Sequence, residues 1–284
     1  MVVLLSLASA LTYGLSDFLG GILSRRTSPW VIAVSAQTTA MVLWSAIALV
    51  VGGEPAGRDL AWGVLSGVGG GIGAAFLYRG LGAGSMSVVA PVSAVGSALI
   101  PVAAGVFFGG ERPTMVTWWG VVVALPAIWL VSLVDTSVAP ADGRPRRGRA
   151  AELTDAMLAG LGFGVLFTAL GQVPEQAGLA PLAVSYIVAV VATAALASAL
   201  GAAWLPRDRS AVSGIGVGVL GSSATVLFLL ATQSGLLTVA AVLSSLYPAT
   251  TVLLAAVLLR ERISRAQAGG LALAVLAVVL VTVG

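Results

Sequence analysis

Charged residues fall along this chain in short groups, separated by uncharged apolar stretches of about the length needed to cross a bilayer. A membrane-spanning helix needs about 20 residues, so the charges mark the ends of candidate spans. Met1 to Leu23 forms the first, closed by Arg25 and Arg26, and Pro29 to Val51 the second. Nineteen uncharged residues between Asp59 and Arg79 hold a third. The thirty-one between Arg79 and Glu111 hold a fourth over Ser85–Phe108, and Thr114–Val134 makes a fifth. After a hydrophilic linker the rhythm resumes, with spans at Thr154–Gly171, Ala180–Trp204, Ala211–Ser234, Thr238–Leu259 and Ser264–Val283. Ser210 to Leu259 is uncharged for fifty residues, which is too long for one helix and right for two. The pattern predicts an all-α membrane protein of ten transmembrane helices.

The same pattern repeats. A shift of 150 residues lays one half on the other without gaps. Gly14 falls on Gly164, Ala33-Val34-Ser35 on Ala183-Val184-Ser185, Gly71 on Gly221 and Val89-Ala90 on Val239-Ala240. The pair Glu111-Arg112 meets Glu261-Arg262, with Gly120 on Gly270 nine residues later. Alanine and valine matches are cheap in such a sequence; a shared Glu-Arg between corresponding spans is not. The expected organisation is a first five-helix repeat over residues 1–135, a linker over 136–152 and a second repeat over 153–284. Because five is odd, the second copy enters the membrane upside down. Inverted repeats of this kind hold the substrate near the midplane in many secondary transporters and give alternating access by rocking.

Composition sharpens the class. Hydrophobic residues make up 58% of the chain and charged residues 9%, and the mean hydropathy is +1.06. A soluble domain carries roughly 25% charged residues. There is no cysteine, histidine or lysine, and all fourteen basic residues are arginines. Disulfide, thiolate-metal, imidazole and Schiff-base chemistry are thereby excluded, and no metal site or cofactor is expected. The acidic residues show no paired catalytic motif, so the expectation is not an enzyme. A nucleic-acid partner does not fit a net charge of +3 carried in short loops. No charge precedes the first apolar stretch, so no cleaved signal peptide is expected.

Glu-Arg at the end of each fourth span before a Gly-bearing fifth, Leu246-Tyr247-Pro248 through Leu259-Arg260-Glu261-Arg262, and the opening Leu11-Thr12-Tyr13-Gly14-Leu15-Ser16-Asp17-Phe18 together resemble the EamA-type transporters of the drug/metabolite transporter superfamily. The first half departs from the pattern, with Ala98 in the column of Pro248 and Pro101 three residues later. The resemblance implies a secondary transporter in the inner (plasma) membrane that carries a small metabolite, amino acid or drug, typically outward, with a proton as coupling ion. The alternatives are a non-transporting membrane scaffold and an integral-membrane enzyme. Two complete halves suit a working monomer, with a dimer left open.

Candidate substrate-binding residues are the polar ones at membrane depth. Asp17 is read as the one acidic residue inside a span, where an ionisable group costs at least about 2.5–3.5 kcal/mol and so faces a cavity or a partner. It suits a cationic substrate or a proton relay. Arg79, beside Tyr78, suits an anionic group or a pairing with Asp17. Gln37 and Gln233 break the symmetry of the halves, as one substrate between two equivalent halves requires. Tyr13, Tyr186 and Tyr247 lie inside spans rather than in an interfacial belt and are candidate walls. Pro91 and Pro248 remove helix hydrogen bonds and can open carbonyls to a cavity; Pro101 is read the same way. Gly67 to Gly73 holds a Gly-x-Gly-x-x-Ala pattern, read as close helix packing. The Glu-Arg pairs are read as caps and loop anchors. By charge, the odd-numbered loops carry twelve arginines against two elsewhere, which places the termini outside, whereas the family precedent places them inside.

Overall fold

The structure is a computed structural model that describes residues 1–24, 26–82, 86–132, 149–205, 210–258 and 263–284. Most of the linker expected at 136–152 and the Glu261-Arg262 pair lie outside these residues. The described residues are helical and contain no strand. The first half comprises α1 (Val2–Ser24), α2 (Pro29–Val51), α3 (Gly57–Gly82), α4 (Met86–Phe107) and α5 (Met115–Ser132). The second comprises α6 (Arg149–Leu170), α7 (Ala180–Ala199), α8 (Ser210–Gln233), α9 (Leu237–Ser244), α10 (Tyr247–Leu258) and α11 (Arg265–Val283).

Local chemistry explains several ends. Pro29 and Pro181 stand in the first turns of α2 and α7, where a missing N–H is harmless. Ser264 and Gln267 form a reciprocal capping box at the start of α11. Of the ten expected spans, eight are long and apolar enough to cross a membrane; the others are the shorter apolar helices Val92–Phe107 and Met115–Val131.

The ninth span differs from its expected form. Instead of one helix over Thr238–Leu259 there are two, α9 and α10, parted at Ser245-Leu246. Pro248 has no N–H to give the Ser244 carbonyl, and its ring crowds that carbonyl. The chain tightens into three-residue bonds instead, from Leu246 N–H to Leu243 O at 3.2 Å and from Ala249 N–H to Leu246 O at 2.9 Å. In the first half α4 continues unbroken through Pro91 and Pro101.

The helices of one half pack mainly on those of the other. α1 lies on α8, α3 on α6 and α7, α2 on α7 and α8, and α5 on α11. Glycines permit the approach. A methyl group at Gly69 would stand 2.6 Å from the Gly162 carbonyl oxygen, and one at Gly71 would stand 2.9 Å from that of Ala189. The Gly67–Gly73 stretch is thus a packing surface. α5 and α11 run antiparallel, and their contacts are reciprocal: Gly120 meets Val281, and Gly270 meets Val131. Those two contacts exchange under the 150-residue shift. Long apolar side chains such as Leu49, Val50, Phe107 and Val257 stay on the outside, where only lipid suits them.

Candidate substrate cavity

A cavity of about 90 Å³ opens among α1, α2, α3, α6, α7 and α8, and the start of α10 reaches it. The face of α1 that lines it carries Tyr13, Ser16 and Asp17, a spacing of three and four that stacks side chains on one side of a helix. Two serines anchor this face: Ser9 donates to the Ala224 carbonyl at 2.8 Å and Ser16 to that of Val217 at 3.1 Å. Gly14 lets the start of α10 come close, since a methyl group there would stand 2.7 Å from the Tyr247 carbonyl oxygen. Tyr247 therefore sits beside Tyr13, ring centres 6.2 Å apart.

All four tyrosines of the chain, Tyr13, Tyr78, Tyr186 and Tyr247, line this cavity. Phe163 and Phe167 join them, with Tyr13 standing edge-on to Phe167 at 5.7 Å. Among the described residues Asp17 is the only acidic one in the lining, and no arginine lines the space. Among the described residues no cation pairs with Asp17.

Two hydrogen-bonded groups shape the walls. Thr225 Oγ1 lies 2.7 Å from the Tyr13 hydroxyl and accepts from the Tyr186 hydroxyl at 2.9 Å, and its own hydroxyl lies 2.9 Å from the Gly221 carbonyl. On the other side, Thr193 donates to the Gln37 side-chain oxygen at 2.8 Å, while the Gln37 amide nitrogen reaches the Gly70 carbonyl at 3.4 Å. Because a carbonyl only accepts, that contact fixes which end of the Gln37 amide is nitrogen.

Arg79 and Gln233 stand apart from the cavity. Arg79 pairs with Asp155 on α6, its Nε 3.1 Å from both carboxylate oxygens and its Nη2 also on Oδ1. Its guanidinium lies over the Phe76 ring at 4.3 Å and the Trp30 ring at 5.9 Å. Gln233, at the end of α8, donates to the Val173 carbonyl at 3.3 Å. Pro248 sets the break that presents Tyr247, and Pro91 falls in the second turn of α4.

Asp155 corrects the expectation that Asp17 is the one acidic residue within a span. It is 1% exposed and lies inside α6, which starts at Arg149, five residues before the expected boundary. Glu111 acts as a cap, but across the halves: its carboxylate accepts the backbone N–H groups of Leu237 and, at 2.9 Å, Thr238 at the start of α9. At the same end, the Glu54 N–H donates to the Gln176 carbonyl at 2.9 Å. The sequence reading passed over Ser16, Thr225, Phe163 and Phe167. Their only signal was the spacing of Ser16 from Tyr13.

A bundle of apolar helices enclosing a tyrosine-lined cavity is the architecture of an integral multi-pass membrane protein. The chain belongs to the EamA-like transporter family, whose model matches residues 1–133 and 153–283, and so to the drug/metabolite transporter superfamily. Members of that family are transporters rather than enzymes. No curated protein matches the chain. A solved structure described only as a crystal structure of a protein is 18% identical, with a TM-score of 0.71 over 99% of this chain and 96% of that one. At that identity the likeness is one of fold.

Proposed function

We propose that this protein is a secondary transporter that carries a small organic amine outward across the inner membrane by alternating access. The observation that carries the reading is the cavity's composition. Among the described residues its lining holds one carboxylate, no arginine and all four tyrosines of the chain. A carboxylate without a cation attracts a positive ligand, and tyrosine faces attract one through their ring quadrupoles. In this reading Asp17, Tyr13, Tyr78, Tyr186, Tyr247 and Gln37 bind substrate. Arg79 acts through Asp155 at one end of the bundle, and Gln233 through the turn at Val173. Asp17 is also the group that takes the coupling proton, in exchange for the amine.

The working unit is a monomer of two inverted repeats, residues 1–135 and 153–284, joined by a linker. Support comes from the reciprocal antiparallel contacts of α5 and α11 and from a family model that matches on each side of the linker. Arg79–Asp155 joins the halves at one end, and Glu111 with α9 joins them at the other. Loosening these in turn would open the cavity to each side. The arginine-rich loops lie in the cytoplasm on this account.

The test is transport in proteoliposomes bearing a pH gradient. Labelled 2-phenylethylammonium should move against its gradient with the wild type and equilibrate no faster than in empty vesicles with Asp17→Asn. Equal amine flux through both proteins would overturn the reading.

A further inference from the structure

Thr225 lines the cavity, and it also decides what two cavity tyrosines can offer a ligand. A threonine hydroxyl has one proton and two lone pairs. At Thr225 three groups compete for them: the Tyr13 hydroxyl at 2.7 Å, the Tyr186 hydroxyl at 2.9 Å and the Gly221 carbonyl at 2.9 Å. The carbonyl can only accept, so it takes the threonine proton in the arrangement that satisfies all three contacts. Both tyrosines must then donate to Thr225 Oγ1. Their protons point into the protein, and the remaining lone pairs of both phenol oxygens are left for the cavity.

The other described hydroxyl contacts on this face run the same way. Ser16 gives its proton to the Val217 carbonyl at 3.1 Å, and Ser222 reaches that of Val219 at 3.3 Å. With Asp17, an acceptor when ionised, the lining on the α1–α8 side presents acceptors and few donors. Such a wall does more than favour positive charge. It discriminates among cations by their N–H groups, because a primary ammonium can donate three hydrogen bonds and a quaternary ammonium none.

We infer that Thr225 is a specificity-determining residue, which orients the Tyr13 and Tyr186 hydroxyls as acceptors and so makes the cavity prefer a primary or secondary ammonium over a quaternary one of similar shape. The inference rests on the amine reading of the cavity. Tyr13 comes from α1 in the first half and Tyr186 from α7 in the second, so one threonine sets the polarity of groups from both halves. The 150-residue shift pairs Tyr13 with Phe163 and Tyr186 with Ala36. Neither tyrosine has a phenolic counterpart in the other half, so the acceptor pair exists once.

The experiment compares equilibrium binding of 2-phenylethylammonium and its N,N,N-trimethyl analogue to the full-length detergent-solubilised protein. Thr225→Val keeps the shape and removes both the acceptor and the proton. It frees the tyrosine protons to turn toward the cavity. The expected result is a five- to tenfold loss of affinity for the primary amine, the size of one or two net hydrogen bonds, with the trimethyl analogue nearly unchanged. Thr225→Ser keeps the hydroxyl and loses the methyl group, and should keep the preference, which a role of Thr225 in packing alone would not. Should Thr225→Val fail to fold, Tyr186→Phe removes one acceptor oxygen directly and should lower the same ratio. Equal loss of both ligands in Thr225→Val and Tyr186→Phe, or no loss of either, overturns the inference while leaving the amine reading intact. Failure of the wild type to bind either cation overturns both.

Discussion

Asp17 and Asp155 are carboxylic acids inside membrane-spanning helices of this protein, and they stand in opposite surroundings. Asp155 on α6 is 1% exposed and held by Arg79, which is itself covered by Phe76 and Trp30. Asp17 on α1 lines the cavity among tyrosines, and no described cation pairs with it. A buried charge is tolerable when it is paired and hydrogen-bonded, as Asp155 is. An intramembrane acid that no described cation pairs with is, on the reading proposed above, one whose partner is the substrate. The same residue type thus closes one contact between the halves and leaves another open. The 150-residue shift pairs Asp17 with Phe167 and Asp155 with Leu5, so neither acid repeats the other.

The sharpest way to break the contrast is to remove one partner from the closed pair. Arg79→Leu leaves Asp155 buried beside apolar groups and should destabilise the protein by about 3–5 kcal/mol, read as a fall in the unfolding temperature in detergent. Replacing both, as Arg79→Leu with Asp155→Leu, should recover most of that loss. The open acid behaves otherwise. Asp17→Asn should weaken 2-phenylethylammonium binding about a hundredfold, corresponding to roughly 2.7 kcal/mol of a desolvated charge pair, and should alter stability by less than about 1 kcal/mol. The smallest effect concerns a third carboxylate, one that caps a helix. Glu111→Ala removes the acceptor for the Leu237 and Thr238 amides and should lower stability by about 1 kcal/mol, with binding of the amine unchanged.

How far the sequence foretold this arrangement depends on whether the cause was local. Several helix ends and the Pro248 break are local, written in charges, prolines and caps, and the expected spans match closely apart from the start of α6, the end of α7 and the ninth. Even there, proline at 248 signalled a disturbance; what it could not specify was a full separation into α9 and α10. Tyr13, Tyr186, Tyr247 and Asp17 stood out because such polar groups are unexpected at membrane depth, and Tyr78 only as the neighbour of Arg79. Their meeting in one cavity depends on α1 packing against α8 and α10, which no local pattern encodes. Arg79 shows the limit more plainly. Its depth and charge suited a substrate or Asp17 equally, and its actual partner lies on α6, 76 residues away. Asp155 was overlooked because it sits one residue inside an expected boundary, and α6 begins a full turn earlier. Thr225 carried no signal, since a threonine in a span most often bonds its own helix. It does that here too, and only the two tyrosines brought to it from α1 and α7 give it a further role.

The central claim, that one acid serves a ligand and the other serves the fold, is tested most directly by thermal unfolding of three proteins with and without 2-phenylethylammonium. A ligand at 100 times its dissociation constant stabilises by about 2.7 kcal/mol. The account predicts that Asp17→Asn unfolds near the wild-type temperature and gains only about 0.4 kcal/mol from the same amine concentration. It predicts that Arg79→Leu unfolds well below the wild type and is still raised by the amine. An Asp17→Asn protein that unfolds early yet is stabilised by the amine as much as the wild type would contradict it.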